Sequence, residues 1–274
     1  MLVYGILLLS AAAAGLVWFY EFGILAAALT FVGSVAALAL LAFLFLWAAC
    51  ALVDISKPQE HDSKFYRVLT NLIIEAVMMV ARVRVHTSGL EKTPKEGRFL
   101  LVCNHLNDSD PALLLRFFRK SQLAFISKKE NSTMFIVGKV MHKILCQMIN
   151  RENDREALKT ILKCIQLIKD DEVSVAVFPE GGIKGNNLLN PFRPGVFKIA
   201  QKANVPIVVC TLWGSQDVFK NLAKLKPTDV DLHLVGVIPA EELKGVTAVD
   251  ISNRVRAMMA ADLGEERVYQ EQNT

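Results

Sequence analysis

The order of apolar and polar positions divides the chain into two unequal parts. Two apolar runs, residues 1–20 and 24–53, flank the short break Glu21-Phe22-Gly23. At the rise of an α-helix these runs are about 30 Å and about 45 Å long, which is enough for each to cross the hydrocarbon core of a bilayer. The pattern predicts a membrane-embedded helical hairpin over residues 1–55, either crossing the bilayer or only dipping into it.

The flanks of this hairpin indicate its orientation. A cleaved secretory signal is disfavoured, because residues 1–20 contain no Lys or Arg and a second apolar run follows at once. The two ends of a hairpin share one side of the membrane, and Lys57, Lys64 and Arg67 follow the second end. Because basic residues accumulate on the cytoplasmic side, we expect the rest of the chain to face the cytoplasm. The compact chain favours a cell inner membrane.

Residues 56–82 connect the hairpin to the rest of the chain. The stretch Ser56–Ser63 is polar, contains Pro58 and reads as a linker. Apolar residues then recur at helical spacing over Lys64–Val80, with polar residues on the opposite face, which predicts an amphipathic helix. Two placements of this helix stay open: it lies on the bilayer surface, or it packs on the following domain.

Strand-like and helix-like stretches alternate over residues 83–264. The apolar patterns predict strands at Arg82–His86, Phe99–Cys103, Leu123–Ser127, Val173–Phe178, Val205–Leu212 and Asp231–Ile238. They predict helices at Pro111–Arg119, Arg155–Lys169, Gly195–Ala203 and Ala248–Leu263. Such alternation is typical of an α/β domain with a central mixed sheet flanked by helices. Residues 265–274 form a polar tail.

Charge and cysteine content narrow the classes of protein that fit. Glu21 is the single charged residue among residues 1–53, so nearly all of the 31 basic and 27 acidic residues lie beyond them. This distribution excludes a freely soluble or intrinsically disordered chain. A net charge of +4 without dense basic clusters suits anionic lipid headgroups and predicts no nucleic-acid partner. The five widely spaced cysteines fit no zinc site or disulfide framework, which favours a reducing compartment.

Polar residues follow the predicted strand Phe99–Cys103, at the position where open α/β sheets place their sites. Here Asn104 and His105 are followed by Asp110. A loop of this length can fold the carboxylate back onto the imidazole, which would fix the tautomer and leave the other ring nitrogen as a base. The alternative is that Asp110, which precedes Pro111, only caps a helix.

Two further polar stretches follow apolar runs of the sequence. Glu180 stands before Gly181, Gly182 and Gly185, a composition that lets main-chain N–H groups approach an anion. An ordinary glycine turn is the alternative. Asn150 and Arg151 follow the short apolar run Cys146–Ile149, and Arg151 could bind a phosphate or simply lie on the surface. The sequence contains no G-x-S-x-G, H-E-x-x-H, P-loop or G-x-G-x-x-G motif, which argues against the corresponding hydrolases, proteases and nucleotide enzymes.

Taken in order, these stretches resemble the four-block signature of the glycerolipid acyltransferases, the family of 1-acylglycerol-3-phosphate acyltransferases. The blocks are N-H-x4-D, then N-R, then F-P-E-G, then Val205-Pro206-Ile207-Val208, and together they span about Val83 to Leu212. Two more stretches look similar: Ser127-Lys128-Lys129-Glu130 and Pro191–Ala200. An apolar two-helix N-terminus is also common in that family.

The resemblance implies an O-acyltransferase that moves a fatty acyl group from acyl-coenzyme A or an acyl-carrier protein to a lysophospholipid. His105 would deprotonate the acceptor hydroxyl, and Asp110 would orient the ring. Glu180 would arrange the acceptor, while Asn104, Arg151 and the amides around Gly181 and Gly182 would complete the binding site. Because a thiolate leaves readily, direct attack requires no cofactor, metal or acyl-enzyme.

One departure from the family pattern concerns the acceptor. The family usually continues F-P-E-G with Thr and Arg, where this chain has Gly182 and Ile183, and the nearest cation is Lys184. Either Lys184 binds the acceptor phosphate as a point charge, or the acceptor differs from lysophosphatidic acid. Two other interpretations therefore stay open: an acyltransferase for another lysophospholipid or amphiphile, and a non-catalytic, membrane-tethered lipid-binding protein.

Overall fold

A mixed sheet of seven strands organises the part of the chain beyond the hairpin, within residues 1–150 and 153–270 that the computed structural model describes. Its strands are β1 Val83–Ser88, β2 Leu100–Cys103, β3 Leu123–Lys128, β4 Gln147–Ile149, β5 Ser174–Val177, β6 Ile207–Trp213 and β7 Thr228–Ile238. Their spatial order is β1-β7-β6-β2-β5-β3-β4. Only the β6–β7 pair is antiparallel among these strands, so the carboxyl ends of β2, β3, β4, β5 and β6 share one edge.

Helices cover both faces of this sheet, as the alternation of elements predicts. They are α1 Leu2–Phe19, α2 Ile24–Ala51, α3 Lys64–Val80, α4 Asp110–Phe117, α5 Phe135–Lys143, α6 Asp154–Lys169, α7 Lys198–Ala203, α8 Val218–Ala223 and α9 Ala248–Leu263. Successive strand residues alternate between the faces. Leu101 and Phe125 pack under α3, α4 and α5, whereas Leu100 and Val175 pack under α6, α7 and α9. The predicted fold class is confirmed.

The apolar N-terminus forms two helices that are long and apolar enough to cross a membrane. A turn connects α1 to α2, and in it Gly23 adopts a φ of +87° that favours glycine. Both ends of the pair lie against α3: the Met1 nitrogen is 2.8 Å from Glu75 Oε1, and the Tyr66 hydroxyl donates to the Ala49 carbonyl at 2.8 Å. The helices therefore form a hairpin whose two ends are on the same side.

The third helix packs on the domain through a face that includes Arg67, Thr70 and Ile74. The Arg67 guanidinium is buried, where it pairs with Asp62 at 2.8 Å and donates to the Ile144 carbonyl at 3.1 Å. The opposite, apolar face is left open, and Val68 and Val80 keep 61% and 69% of their surface exposed. Packing on the domain, one of the two predicted placements, is observed. Contact of the outward face with a bilayer stays a prediction.

Several elements were not predicted from the sequence. Helices α5 and α8 and strand β4 are short, and their patterns are too brief to separate from loops. Strand β7 begins at Thr228, three residues before its predicted start. Part of the polar tail is also ordered against the domain, because the Leu189 N–H donates to the Arg267 carbonyl at 2.7 Å.

Candidate active site

The carboxyl edge of the sheet brings together the loops that carry His105 and Glu180. Their strands β2 and β5 are parallel neighbours, with Val102 opposite Val177. The two chains therefore leave the sheet side by side, and the His105 N–H donates to Glu180 Oε1 at 2.8 Å. Two motifs that lie 75 residues apart in sequence are in this way one site.

His105 and Asp110 form a hydrogen-bonded pair. Imidazole Nδ1 lies 2.9 Å from Asp110 Oδ2, and the Asp110 side chain is fully buried. The same oxygen accepts the N–H groups of Leu106 and Asn107 at 2.7 and 2.8 Å. Asp110 is also the first residue of α4, so the helix start fixes it in place. Because Nδ1 is engaged, Nε2 is the ring nitrogen left for a reaction.

The faces of the His105 ring are constrained by an aromatic neighbour. Phe178 stacks on the imidazole with ring centroids 4.0 Å apart, and Phe125 stacks on Phe178 at 5.7 Å. Phe178 directly follows β5 and precedes Pro179, so the sheet edge sets its position. The stack limits rotation of the imidazole, and together with Asp110 it leaves His105 a narrow range of orientations.

Glu180 acts in this structure as a connector between loops. Its side chain is buried, Oε1 accepts the His105 N–H, and Oε2 accepts the Asn190 main-chain and side-chain N–H groups at 2.9 and 3.0 Å. Burial raises the pKa of the Glu180 carboxyl, and the hydrogen bonds from Asn190 and His105 oppose that rise. Both oxygens are occupied by the protein, so any effect of Glu180 on an acceptor is exerted through His105 and Asn190.

Asn104 is likewise engaged by the main chain. Its side-chain Nδ2 donates to the Leu212 carbonyl at 2.8 Å, and the Leu212 N–H donates to Asn104 Oδ1 at 2.7 Å. This reciprocal pair fastens the loop after β2 to the adjacent strand β6. The predicted binding role of Asn104 stays untested, and the observed contacts give it the task of positioning the residue next to it, His105.

A mainly apolar cavity of about 360 Å³ opens beside these loops. Phe178, Pro179 and Gly181 form one wall. The other lining residues come from β3, β4 and β5, from α6, and from the stretch that leads into α7 together with its first residue: Ile126, Ile149, Asp154, Ala157, Leu158, Ile161, Val177, Arg193, Gly195, Val196 and Lys198. The cavity offers an apolar chain a place next to the motif that carries Glu180.

The glycines after Glu180 make room for a cation. Gly181 and Gly182 have φ values of +77° and +141°, which favour glycine. A Cβ atom at Gly181 would lie 2.7 Å from Arg193 Nε, so the Arg193 side chain runs along the bare backbone there. Lys184 is exposed and is not among the residues that line the cavity. Arg151 lies outside the described residues.

Asn190 and Arg193 were missed as site residues by sequence reasoning. Arg193 falls in the stretch Pro191–Ala200, whose resemblance to the family was the available signal. Asn190 lies just before it and carries no recognisable motif. Within the part of the chain that the structure describes, no group of three or more His, Cys, Asp or Glu side chains could hold a metal ion.

The chain is similar to known acyltransferases. Residues 84–213 match the family model described as Acyltransferase. The chain is 29% identical over 178 residues to a probable 1-acyl-sn-glycerol-3-phosphate acyltransferase of Mycoplasma pneumoniae, covering 64% of each protein. It is 24% identical over 215 residues to the bovine (Bos taurus) 1-acyl-sn-glycerol-3-phosphate acyltransferase alpha, covering 78% of this chain and 74% of that protein. The match thus spans slightly less than two thirds of the length of the Mycoplasma relative.

A solved structure resembles the whole chain. The 1-acyl-sn-glycerophosphate (LPA) acyltransferase PlsC of Thermotoga maritima aligns with a TM-score of 0.63 and 18% sequence identity, over 97% of this chain and 98% of that one. The similarity extends the shared fold to the N-terminal hairpin. Fold and site define the class, an α/β acyltransferase domain preceded by an apolar helical hairpin. Residues 84–213 form a domain of the Acyltransferase family, and the similar proteins are named 1-acyl-sn-glycerol-3-phosphate acyltransferases.

Proposed function

We propose that this protein transfers a fatty acyl group from an acyl thioester to the free hydroxyl of 1-acylglycerol-3-phosphate, producing phosphatidic acid. The observation that carries the proposal is the His105–Asp110 pair, held at the sheet edge beside an apolar cavity. The names of the similar proteins support the choice of acceptor. A silent lipid-binding protein is disfavoured, because it has no use for a buried carboxylate aligned on an imidazole.

The geometry supports direct transfer with His105 as general base. His105 Nε2 takes the proton of the acceptor hydroxyl while the oxygen attacks the thioester carbonyl carbon. The carbon–sulfur bond then breaks, and the thiolate leaves with the proton from the imidazolium. Asp110 keeps Nδ1 protonated and stabilises the imidazolium between the two steps. Acyl-coenzyme A and acyl-carrier protein both provide such a thioester.

Two cations are candidates for the acceptor phosphate, Lys184 and Arg193. Lys184 is the nearest cation to the Glu180 motif in sequence, and Arg193 lies along Gly181 in space. An arginine fork binds phosphate through two hydrogen bonds, whereas a lysine contributes a point charge. The proposal expects Lys184→Ala or Arg193→Ala to raise the KM of the acceptor by about 10-fold with little effect on the donor. Equal effects on both substrates would contradict it.

The proposed acceptor is delivered from a membrane. The hairpin and the outward face of α3 form one exposed apolar surface, since Phe45 of α2 contacts Phe65 of α3 with ring centroids 6.4 Å apart. We place this surface in the bilayer and the catalytic domain on the cytoplasmic face, with the cell inner membrane as the proposed location. This arrangement opens the site to lysolipid from the same leaflet.

The central test is an acyl-transfer assay with the purified full-length protein in lipid nanodiscs. Labelled acyl-coenzyme A or acyl-carrier protein is offered with a panel of lysolipids that includes lysophosphatidic acid. We expect labelled phosphatidic acid, and we expect its loss in His105→Ala. Transfer only to other lysolipids would overturn the choice of acceptor, and no transfer with either donor would overturn the catalytic function.

Contact of α3 with the bilayer has its own test. All five cysteines are buried, so a single cysteine introduced on the surface can be labelled selectively. A fluorophore at Val68→Cys is expected to be quenched by spin-labelled lipids in nanodiscs. The matched control Lys163→Cys, exposed on α6 at the opposite face of the sheet, is expected to stay bright. Equal brightness at both positions would show that α3 does not touch lipid.

A further inference from the structure

The last described residues of the chain pair with a loop of the active site. The Leu189 N–H donates to the Arg267 carbonyl at 2.7 Å, and the Tyr269 N–H donates to the Leu189 carbonyl at 3.1 Å. Arg256 on α9 stabilises this pairing, because its Nη2 donates to the Tyr269 carbonyl at 2.9 Å. Leu189 is almost fully buried. The segment Glu265–Tyr269 is therefore built into the domain.

Peptide and hydrogen bonds connect Leu189 to His105, the proposed base. The next residue, Asn190, donates its main-chain and side-chain N–H groups to Glu180 Oε2. The other oxygen of Glu180 accepts the His105 N–H. Each step is a hydrogen bond or a peptide bond, and the Glu180 carboxyl at its centre is buried. A shift of Leu189 is thus transmitted to the main chain of His105.

A second route starts from the same segment. The Arg267 guanidinium lies over the Trp213 ring, with Cζ 4.1 Å from the ring centroid. Trp213 follows Leu212, whose N–H and carbonyl both bind the Asn104 amide. Asn104 directly precedes His105. The segment therefore restrains the catalytic loop through β6 as well as through Glu180.

We propose that the segment Glu265–Tyr269 is a positioning element of the active site. It fixes the position of the His105 main chain through Leu189, Asn190 and Glu180. The inference rests on the proposed function, in which His105 is the base. Small displacements of a base cost rate and leave ground-state binding almost unchanged. Loosening the segment should therefore lower kcat without changing either KM.

Two variants loosen the segment without touching the residues at the site. Tyr269→Pro removes the N–H that binds the Leu189 carbonyl, and Arg256→Met removes the hydrogen bond to the Tyr269 carbonyl. Their matched controls are Gln270→Pro, which leaves the Tyr269 N–H in place, and Arg254→Met. Arg254 lies on the same helix but pairs with Glu242 on the surface. Arg256→Lys keeps a donor and should recover part of the loss.

We expect kcat to fall about 10-fold in Tyr269→Pro and Arg256→Met, with both KM values within about twofold of wild type and both controls unchanged. Amide hydrogen exchange, read by mass spectrometry, provides a second readout. The peptide that carries the His105 amide should exchange about 10-fold faster in these variants, while the peptide of α3 stays unchanged.

The outcomes separate this inference from the proposed function. Faster exchange at Leu189 with unchanged kcat and unchanged exchange at His105 would overturn the positioning role. A rise in KM at constant kcat would overturn it as well. If wild type transfers no acyl group, the proposed function fails, and exchange at His105 alone then decides whether the segment holds this loop. If Tyr269→Pro does not fold, Arg256→Met carries the test.

Discussion

Two of the His–Asp pairs in the described part of the chain, His105–Asp110 and His233–Asp262, are built differently. In the first, Nδ1 lies 2.9 Å from a carboxylate oxygen that also accepts two main-chain N–H groups. In the second, Nδ1 lies 3.3 Å from both carboxylate oxygens of Asp262, which also accepts the Thr211 hydroxyl. The Asp110 side chain is fully buried, whereas that of Asp262 keeps 24% of its surface exposed.

The position of each pair in the fold explains the difference. His105 follows the carboxyl end of a parallel strand, next to the cavity wall formed by Phe178 and Pro179. His233 lies within β7, opposite Thr211 of the antiparallel neighbour β6, where the pair joins α9 to the sheet. A His–Asp contact is therefore not in itself a catalytic signature. A fixed carboxylate, a restrained ring and adjacent space for substrate distinguish the site.

The largest predicted difference comes from removing each imidazole. His105→Ala should lower kcat/KM by about 10³-fold, because it removes the proposed general base. His233→Ala should leave kcat/KM within about twofold of wild type, since it loses only an exposed contact. Both are measured in the acyl-transfer assay with thermal unfolding as a control for folding. A similar loss in both variants would break the comparison.

Replacing each carboxylate should again lower kcat more at Asp110 than at Asp262, but by a smaller factor than removing the imidazoles. Asp110→Asn keeps the shape of the side chain but no longer stabilises the imidazolium, so we expect kcat to fall about 10²-fold or more. Asp262→Asn should have little effect on kcat. The amide can also reverse the tautomer of His105, which nitrogen-15 NMR of the ring would show. Unchanged kcat in Asp110→Asn would reduce this aspartate to a helix-capping role.

A neighbouring thiol allows a third test, which concerns the proposed direct transfer. Cys103 lies two residues before His105 and is fully buried, and this burial raises the pKa of its thiol well above the ordinary value. At about pH 8 the group therefore stays a thiol and is a poor nucleophile. We expect Cys103→Ala to retain kcat/KM within about threefold and iodoacetamide to leave native enzyme active. An acyl thioester found on Cys103 by mass spectrometry would contradict direct transfer.

Much of this site could be predicted from the sequence, because its chemistry lies in local motifs. The spacing of His105 and Asp110 permits the observed contact, and strand ends mark both His105 and Glu180. The partners of Glu180 could not be predicted in the same way. The contacts of Asn190, and the pairing of Leu189 with residues 267 and 269, depend on how distant loops meet. Main-chain hydrogen bonds can be made by almost any residue type, so the sequence does not reveal them.

The fold shows the same division between local and distant information. The long apolar run of α2 and the periodic patterns of α3 and α6 predicted these helices to within one or two residues at each end. Periodicity showed that α3 has two faces but not which face the domain covers. The buried Arg67, with its main-chain carbonyl partners, decides that point. A lone arginine on a helix carries no such information in sequence.

The smallest effect is expected from another histidine pair on the surface, in which His61 Nδ1 lies 2.6 Å from Glu172 Oε1. The hydrogen bond to Glu172 raises the pKa of His61. The stabilisation is therefore fully present below the unfolded-state pKa of about 6.5 and is lost as pH rises through the higher folded-state pKa.

His61→Ala should lower Tm by about 1 °C at about pH 5.5 and not at all by about pH 8.5. Glu172→Gln should reproduce this dependence on pH, and the double variant should add nothing to it. A difference in Tm that persists unchanged at high pH would assign the effect of His61 to packing. This surface pair would then contribute to stability through contacts that do not depend on the charge of the imidazole.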